Sequence, residues 1–252
     1  MKIVILAGGK GSRLSDMTNL IPKPLISING KPIITRIIEH YSNYGFKDFV
    51  IPVGYKAEMI KSYFKDFDTN NSNIKIKFNP KKTIEFDENF EGMSFEIINT
   101  GLESLTALRI YKIKEILKNK TFMMTYGDGL ADINLIDLLN FHNRHGKIAT
   151  MTIVKPPGRF GEFELNENSD VLNFKEKPKT TKGWINGGFF VFNKEIFNYI
   201  SSKNEMLEHN PLNMLSVNKQ LVGYKHEGFW QCIDTPRDIE EVEKIFKKTK
   251  IL

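Results

Sequence analysis

The segment Leu6-Ala7-Gly8-Gly9-Lys10-Gly11-Ser12-Arg13-Leu14 sets three glycines, a hydroxyl and cations directly behind the apolar run Ile3-Val4-Ile5-Leu6. Glycines let a main chain approach a bulky anion, since no Cβ stands in the way and positive φ costs little. Backbone N–H groups freed in such a turn can point at phosphate oxygens, and Arg13 adds a fixed positive charge. The segment therefore reads as a triphosphate cradle made by Leu6, Ala7, Gly8, Gly9, Gly11, Ser12 and Arg13. A Walker A loop does not fit, because Gly8 and Gly9 stand too close to Gly11 and no Gly-Lys-Ser/Thr follows. The dinucleotide fingerprint is incomplete too, with Leu14 where its third glycine would pack. A plain glycine-rich turn is the simplest competing reading.

Ile21-Pro22-Lys23-Pro24-Leu25 sets a lysine between two prolines. Each proline fixes its own φ and biases the preceding residue toward extended geometry, so Lys23 sits on a stiff mount. Tyr126-Gly127-Asp128-Gly129 ends another apolar run, which exposes Asp128 on a tight turn. Carboxylate oxygen is the hard donor that Mg²⁺ prefers, one or two per ion when phosphate and water complete the octahedron. A turn aspartate without a ligand is the alternative there. Far along the chain, Gly228-Phe229-Trp230-Gln231-Cys232-Ile233-Asp234-Thr235 supplies a second carboxylate just ahead of the last helix. Asp234 could equally cap that helix. Between the two lies Phe174-Lys175-Glu176-Lys177-Pro178, whose Lys177 could neutralise a further phosphate. Asn186 offers both a donor and an acceptor, and the glycines Gly187-Gly188 after it could mark a β-bulge.

These residues need a scaffold that brings distant segments together. Strand-like runs at Ile3–Leu6, Phe49–Val53, Ile74–Phe78, Phe95–Ile98, Thr121–Tyr126 and Ala149–Val154 alternate with helix-period stretches. The helical stretches are Thr35–Tyr44, Leu105–Leu117 and Asn134–His142. Such alternation predicts an α/β fold: a Rossmann-like, mostly parallel (mixed) sheet flanked by helices, with a small β appendage. Ligands in these sheets bind at the carboxyl ends of strands, where the glycine turn falls. The polar, acidic stretch Pro80–Gly92 reads as an excursion near the site or an oligomer contact.

Gly-Gly-x-Gly-Ser-Arg-Leu followed by Pro-Lys-Pro-Leu, with Lys23 ten residues after Arg13, resembles the signature of the sugar-phosphate nucleotidyltransferases. The Glu-Lys-Pro at Glu176–Pro178 and the Asn-Gly-Gly at Asn186–Gly188 extend that likeness. Gly54-Tyr55-Lys56, Tyr126–Gly129, Pro156-Pro157-Gly158-Arg159-Phe160-Gly161, Ile185–Val191 and Gly228–Gln231 carry it nearly end to end, toward the glucose-1-phosphate cytidylyltransferase branch. The resemblance implies CTP as nucleotide and Mg²⁺ held jointly by Asp128 and Asp234. It implies a catalytic set of Arg13, Lys23, Asp128, Lys177 and Asp234, with Gly101 added to the nucleotide contacts. It places Arg109, Glu176, Lys177, Asn186 and Gly187 against a phosphorylated small-molecule acceptor. A single nucleotidyltransferase domain over residues 1–252, a homo-oligomer and a role in cell-surface polysaccharide synthesis follow as further expectations.

The likeness weakens at the acceptor. Where the resembling enzymes carry roughly Asp-Ser-Ser-Met-Thr-Gly-Gly-Arg-Leu, this chain reads Leu102-Glu103-Ser104-Leu105-Thr106-Ala107-Leu108-Arg109-Ile110. Side chains at Ala107 and Leu108 would fill space that glycines leave open. Asn210-Pro211-Leu212 stands where Glu-Pro-Leu is usual. Sites that hydrogen-bond a sugar's hydroxyls discriminate strongly when those partners vanish. Glucose 1-phosphate is thus the acceptor by resemblance, and a non-sugar phosphate such as L-glutamine phosphate or a polyol phosphate is the alternative. A regulatory pseudoenzyme is disfavoured by the intact Asp128, Asp234, Lys23 and Lys177, and a dinucleotide oxidoreductase by the missing glycine.

Composition sets outer bounds. A chain of 252 residues, 40% of them hydrophobic, can bury a substantial core. No apolar run approaches the roughly 20 residues of a membrane span, and a strand opens the sequence where a leader would stand, so a cytoplasmic protein without membrane contact is expected. Cys232 is the only cysteine, which rules out an internal disulfide and a multi-cysteine metal site. The net charge of +6 is spread along the chain, with Lys247, Lys248 and Lys250 clustered at a helix end. That pattern suits steering of small anions better than nucleic-acid binding.

Overall fold

The computed structural model describes residues 1–66, 75–77, 83–85, 92–117, 120–156, 162–165, 167, 169, 171–175 and 183–248. Within these, the backbone alone is described at residues 13, 15, 16, 66, 75–77, 83–85, 162–165 and 173–175. The organising sheet contains β1 (Lys2–Leu6), β2 (Asp48–Val53), β3 (Ser94–Asn99), β4 (Phe122–Tyr126), β5 (Ala149–Val154), β6 (Ile185–Phe192) and β7 (Leu221–His226). Their spatial order is β7-β5-β6-β4-β1-β2-β3. β1 runs parallel to β2 and β4, and β2 parallel to β3. β6 is antiparallel to both β4 and β5, while β7 runs parallel to β5. The expected mixed, mostly parallel α/β sheet is therefore present, and the hairpin of Glu162–Leu165 with Val171–Lys175 forms a β appendage.

The central strands are mostly apolar because both faces are covered. Successive strand residues point to opposite faces. Ile3, Ile5, Met123, Phe189 and Val191 enter one core, whereas Val4, Leu6, Phe122, Met124, Phe190 and Phe192 enter the other. The first core is closed by α1 (Ile33–Asn43), whose Ile33, Ile34, Ile37, Ile38 and Tyr41 form one buried stripe. α2 (Ala57–Asp66) adds Ala57, Ile60 and Phe64 to it. The second core is closed by α3 (Thr106–Lys112) through Ala107 and Ile110. α4 (Leu135–His145) starts on Asn134, whose side chain accepts hydrogen bonds from the backbone N–H groups of Ile136 and Asp137. It ends on Gly146 in the left-handed region, a common helix stop. α5 (Asn210–Val217) and α6 (Pro236–Lys248) complete the flanks.

Most expected elements lie within two residues of their observed ends. Two helices differ by more: the one expected over Asn134–His142 runs on to His145, and the one expected over Leu105–Leu117 stops at Lys112, with a separate turn, Lys114–Leu117, following. Ile113 and Leu117 both enter the second core across this break. Of the strand expected over Ile74–Phe78, Lys75–Lys77 is described and pairs with Thr83–Glu85. The rest of Pro80–Gly92, apart from Gly92 itself, lies outside the described residues, as do Gly158–Gly161 and Lys250.

α1 also carries a pH-sensitive contact. His40 is 7% exposed, and burial pushes its imidazole down to about 4, only partly opposed by a hydrogen bond with the Ile133 backbone and by Asp132. Burial lowers His142 and His145 as well. An unfolded chain takes up these protons near the ordinary histidine value, the folded chain only at lower pH. Between about pH 6.5 and 4 the unfolded state binds more protons, so acidification destabilises the fold. For His40 the loss is at most roughly 3 kcal/mol across that window, and it is absent above it. Urea midpoints taken from pH 7 to 4 should fall, and His40→Leu should flatten that slope.

Candidate active site

Strand register places the chemistry on one edge. Leu6 lies opposite Tyr126 in the parallel pair β1/β4, so the turns that follow both strands leave the same carboxyl edge. Gly127 N–H donates to Leu6 O at 3.0 Å, and a Cβ on Gly127 would lie 2.8 Å from that oxygen. Gly11 has φ of +64°, the conformation in which the glycine turn passes into the helical turn Ser12–Leu14. The Gly54-Tyr55-Lys56 motif braces this region. Tyr55 N–H donates to Gly8 O, the Tyr55 hydroxyl to Thr18 O, and Lys56 Nζ to Asn19 O and Leu20 O.

Asp128 and Asp234 are brought together by a two-strand ladder. Gly129–Ala131 pairs antiparallel with Trp230–Cys232, and Ile233 N–H donates to Asp128 O at 2.9 Å. Asp234 is not the cap of α6, as one reading of the sequence had it. Asp238 Oδ2 instead accepts from Asp234 N–H, Thr235 N–H and the Thr235 hydroxyl, while Thr235 Oγ1 accepts from Asp238 N–H. Thr235, Pro236 and Asp238 thus supply the helix start. The Asp234 carboxylate faces the cleft, where Lys23 Nζ bridges Asp128 Oδ2 and Asp234 Oδ1 at 2.7 Å each. Burial opposes the Lys23 charge, but Asp128 and its hydrogen bonds more than compensate and raise its pKa above the ordinary value. One oxygen from each aspartate and the Cys232 sulfur all lie within 4.8 Å of one another. Burial, with Asp128 and Asp234 close by, pushes the Cys232 thiol far up, so it is not poised as a nucleophile.

A cleft of about 580 Å³ opens over this edge. Leu6, Ala7, Gly8, Gly9, Gly11, Lys23, Asp128 and Asp234 line it. So do Asn186 and Gly187. The β5/β6 register breaks between Met151 and Ile153, opposite Asn186–Phe190, so a bulge does occur there. It has Gly188 at φ +79° and Asn186 Oδ1 accepting from Gly188 N–H. Trp230 Nε1 donates to Gly187 O at 2.8 Å and ties the bulge to the aspartate ladder. Ser12 is exposed and does not line the cleft. Gly101 does not line it either; its carbonyl accepts from Arg109. The Arg13 side chain, Glu176 and Lys177 lie outside the described residues.

Residues expected to shape the acceptor end have further structural parts. Arg109, expected at the acceptor, is among the residues lining the cleft, and it is 3% exposed and engaged with the main chain. Its Nη1 donates to Val53 O, Thr100 Oγ1 and Gly101 O, and its Nη2 to Gly8 O and Leu102 O. It braces the glycine turn from beneath. Ala107 and Leu108 do not narrow the cleft: Ala107 packs into the second core, and Ser104, Leu105 and Thr106 form the wall. The sequence reading missed Glu208, which also lines the cleft. Its carboxylate accepts from the Tyr126 hydroxyl and, at 3.0 Å, from the Thr106 hydroxyl. Burial and Glu208 both raise the Tyr126 pKa, so the phenol stays a donor. The signal available was an acid two residues ahead of Asn210-Pro211-Leu212.

The profile of the family described as "Nucleotidyl transferase" matches residues 2–248. The chain belongs to the nucleotidyl transferase family. This nucleotidyltransferase is 39% identical to a glucose-1-phosphate cytidylyltransferase of Salmonella typhi, over 99% of this chain and 97% of that one. The corresponding protein of Salmonella typhimurium gives the same identity and coverage. In three dimensions the nucleotidyltransferase is similar to the crystal structure of HddC from Yersinia pseudotuberculosis, with TM-score 0.67 and 23% identity. That likeness spans 97% of this chain and 99% of HddC, and it concerns the fold. Among the described residues no helix is long and apolar enough to cross a membrane.

Proposed function

We propose that this nucleotidyltransferase is a cytidylyltransferase: CTP and a phosphorylated small molecule give the CDP-linked product and pyrophosphate. The observation that carries the reading is the meeting of Asp128 and Asp234, 106 positions apart in sequence, beside the glycine turn and Lys23. An acceptor phosphate oxygen is anionic at neutral pH, so in-line attack on the α-phosphorus needs no side-chain nucleophile. The difficulty is repulsion: two unit charges ~4 Å apart repel by about 4 kcal/mol at an effective dielectric of 20. The protein's task is to position two polyanions and neutralise them.

In this reading, the N–H groups of the Gly8–Gly11 turn receive the triphosphate and Lys23 counters its charge. The carboxylates of Asp128 and Asp234 fit a hard cation, and their distances to each other and to Lys23 mark a place where positive charge is already favoured. They would hold Mg²⁺, which when bound supplies charge neutralisation at the phosphates. The roles of Arg13, Glu176 and Lys177, a single domain, and a homo-oligomer acting in surface-polysaccharide synthesis are supported by the motif likeness. CTP as nucleotide and glucose 1-phosphate as acceptor are supported by the 39% identity to the Salmonella enzymes.

A second acceptor reading is favoured by the cleft wall. Leu105 and Met206, 42% and 37% exposed, put apolar surface into the acceptor end where hydroxyl partners would serve a sugar. This favours an acceptor with fewer hydroxyls than a sugar, such as L-glutamine phosphate, over a polyol phosphate. One assay separates the readings: pyrophosphate release by the full chain with Mg²⁺, comparing CTP, UTP and dTTP against glucose 1-phosphate, polyol phosphates and L-glutamine phosphate. CTP should be the fastest nucleotide. Glucose 1-phosphate turned over as fast as any other acceptor removes the non-sugar reading. Failure of every CTP pair removes cytidylyl transfer itself.

A further inference from the structure

Lys23 is 8% exposed, and its Nζ sits 2.7 Å from an oxygen of each aspartate. A divalent cation shared by the same two carboxylates needs its oxygens at roughly 2.0–2.1 Å if it is Mg²⁺. The ammonium already fills the interval between those oxygens, and two cations cannot occupy it together. The lysine stem also runs beneath the glycine turn: a Cβ on Gly11 would lie 3.3 Å from Lys23 Cβ and 3.5 Å from Cδ. The backbone there is fixed, with Pro22 extended and Ile26 N–H bonded to Lys23 O. Nζ can therefore pass from the carboxylates to an anion on the turn by rotating the end of its stem, without main-chain movement.

We propose that Lys23 and the divalent cation are alternative occupants of the Asp128–Asp234 pair. The ammonium holds the pair closed, and the metal gains entry when a triphosphate draws Nζ toward Gly8–Gly11. Metal and nucleotide are then coupled positively through one side chain, and each must strengthen binding of the other by the same factor. Without nucleotide, the protein excludes the cation. The inference rests on reading Asp128 and Asp234 as the metal carboxylates.

The test is Mn²⁺ binding, read from the electron-paramagnetic signal of the free ion, with full-length protein and no nucleotide. Lys23→Gln should bind one Mn²⁺ at least ~10-fold more tightly than wild type, since removing the competing cation returns the carboxylates to the metal. Lys23→Gln combined with Asp128→Asn should lose that gain. Equal affinity in wild type and Lys23→Gln overturns the proposal. So does stoichiometric Mn²⁺ binding by nucleotide-free wild type that Asp128→Asn abolishes, a result that stands even if Lys23→Gln fails to fold. The readout needs neither acceptor nor turnover. A failed pyrophosphate assay therefore leaves it intact, and equal Mn²⁺ affinities in a working transferase sink this inference alone.

Discussion

Asp128→Asn should lower pyrophosphate release by about 10³- to 10⁴-fold, a loss of roughly 4–5.5 kcal/mol of transition-state stabilisation. The substitution keeps the shape of the side chain and removes its charge. In the proposed reading, what is lost is one of the two carboxylates that would hold a cation beside the glycine turn, where neutralising the reactants is the protein's main task. The fold should survive. The Asp128 side chain is 30% exposed, and the main-chain bond from Ile233 N–H to Asp128 O does not depend on its charge. Lys23 keeps Asp234 as its partner. A stability change of about 1 kcal/mol, or a Tm shift of a few degrees, is the expected scale. The pair of measurements is pyrophosphate release and thermal melting. A folded Asp128→Asn protein that turns over near the wild-type rate takes this residue out of the mechanism.

What the sequence made legible was local. Three glycines after an apolar strand, an aspartate between glycines, and an aspartate ahead of Thr-Pro-Arg each carry their meaning within a few residues. The alternation of strand and helix then fixed which edge they share, and Leu6 opposite Tyr126 is the register that follows. The start of α6 was legible too, since Thr235-Pro236-Arg237-Asp238 is a helix-start pattern, although the same spelling also offered Asp234 as the cap. Long-range contacts were not. Nothing in the spelling of Thr100–Ile110 shows that Arg109 turns back under Gly8, or that Ala107 faces the second core and leaves Leu105 at the rim. Glu208 reaches the site through Tyr126 and Thr106, side chains from two other segments. Lys23 was read as a phosphate ligand because it is cationic and stiffly mounted. Its grip on both aspartates depends on a ladder that closes more than a hundred residues later.

Arg109→Ala should cost about 3–5 kcal/mol of folding stability, because it removes the hydrogen bonds of a buried guanidinium and leaves a cavity beneath the glycine turn. One guanidinium joins the glycine turn through Gly8 O, the end of β2 through Val53 O, and the loop after β3 through Thr100, Gly101 and Leu102. A planar fork reaches this many acceptors, whereas an ammonium has three donors on one atom. Arg109→Lys should therefore recover only part of the loss. Burial lowers the Arg109 pKa, and among the described residues no carboxylate pairs with it. Its charge is met by carbonyl dipoles and leaves positive potential under the glycine turn, where the proposed function seats the triphosphate. Arg109→Met, similar in length and uncharged, should accordingly raise the KM for the nucleotide as well as lower the urea midpoint. Gly8→Ala should imitate the damage from the other side, since its Cβ would collide with the guanidinium. Urea denaturation with separate KM values for nucleotide and acceptor decides the matter. An Arg109→Ala protein of wild-type stability that loses only acceptor affinity returns this residue to the acceptor and removes the brace.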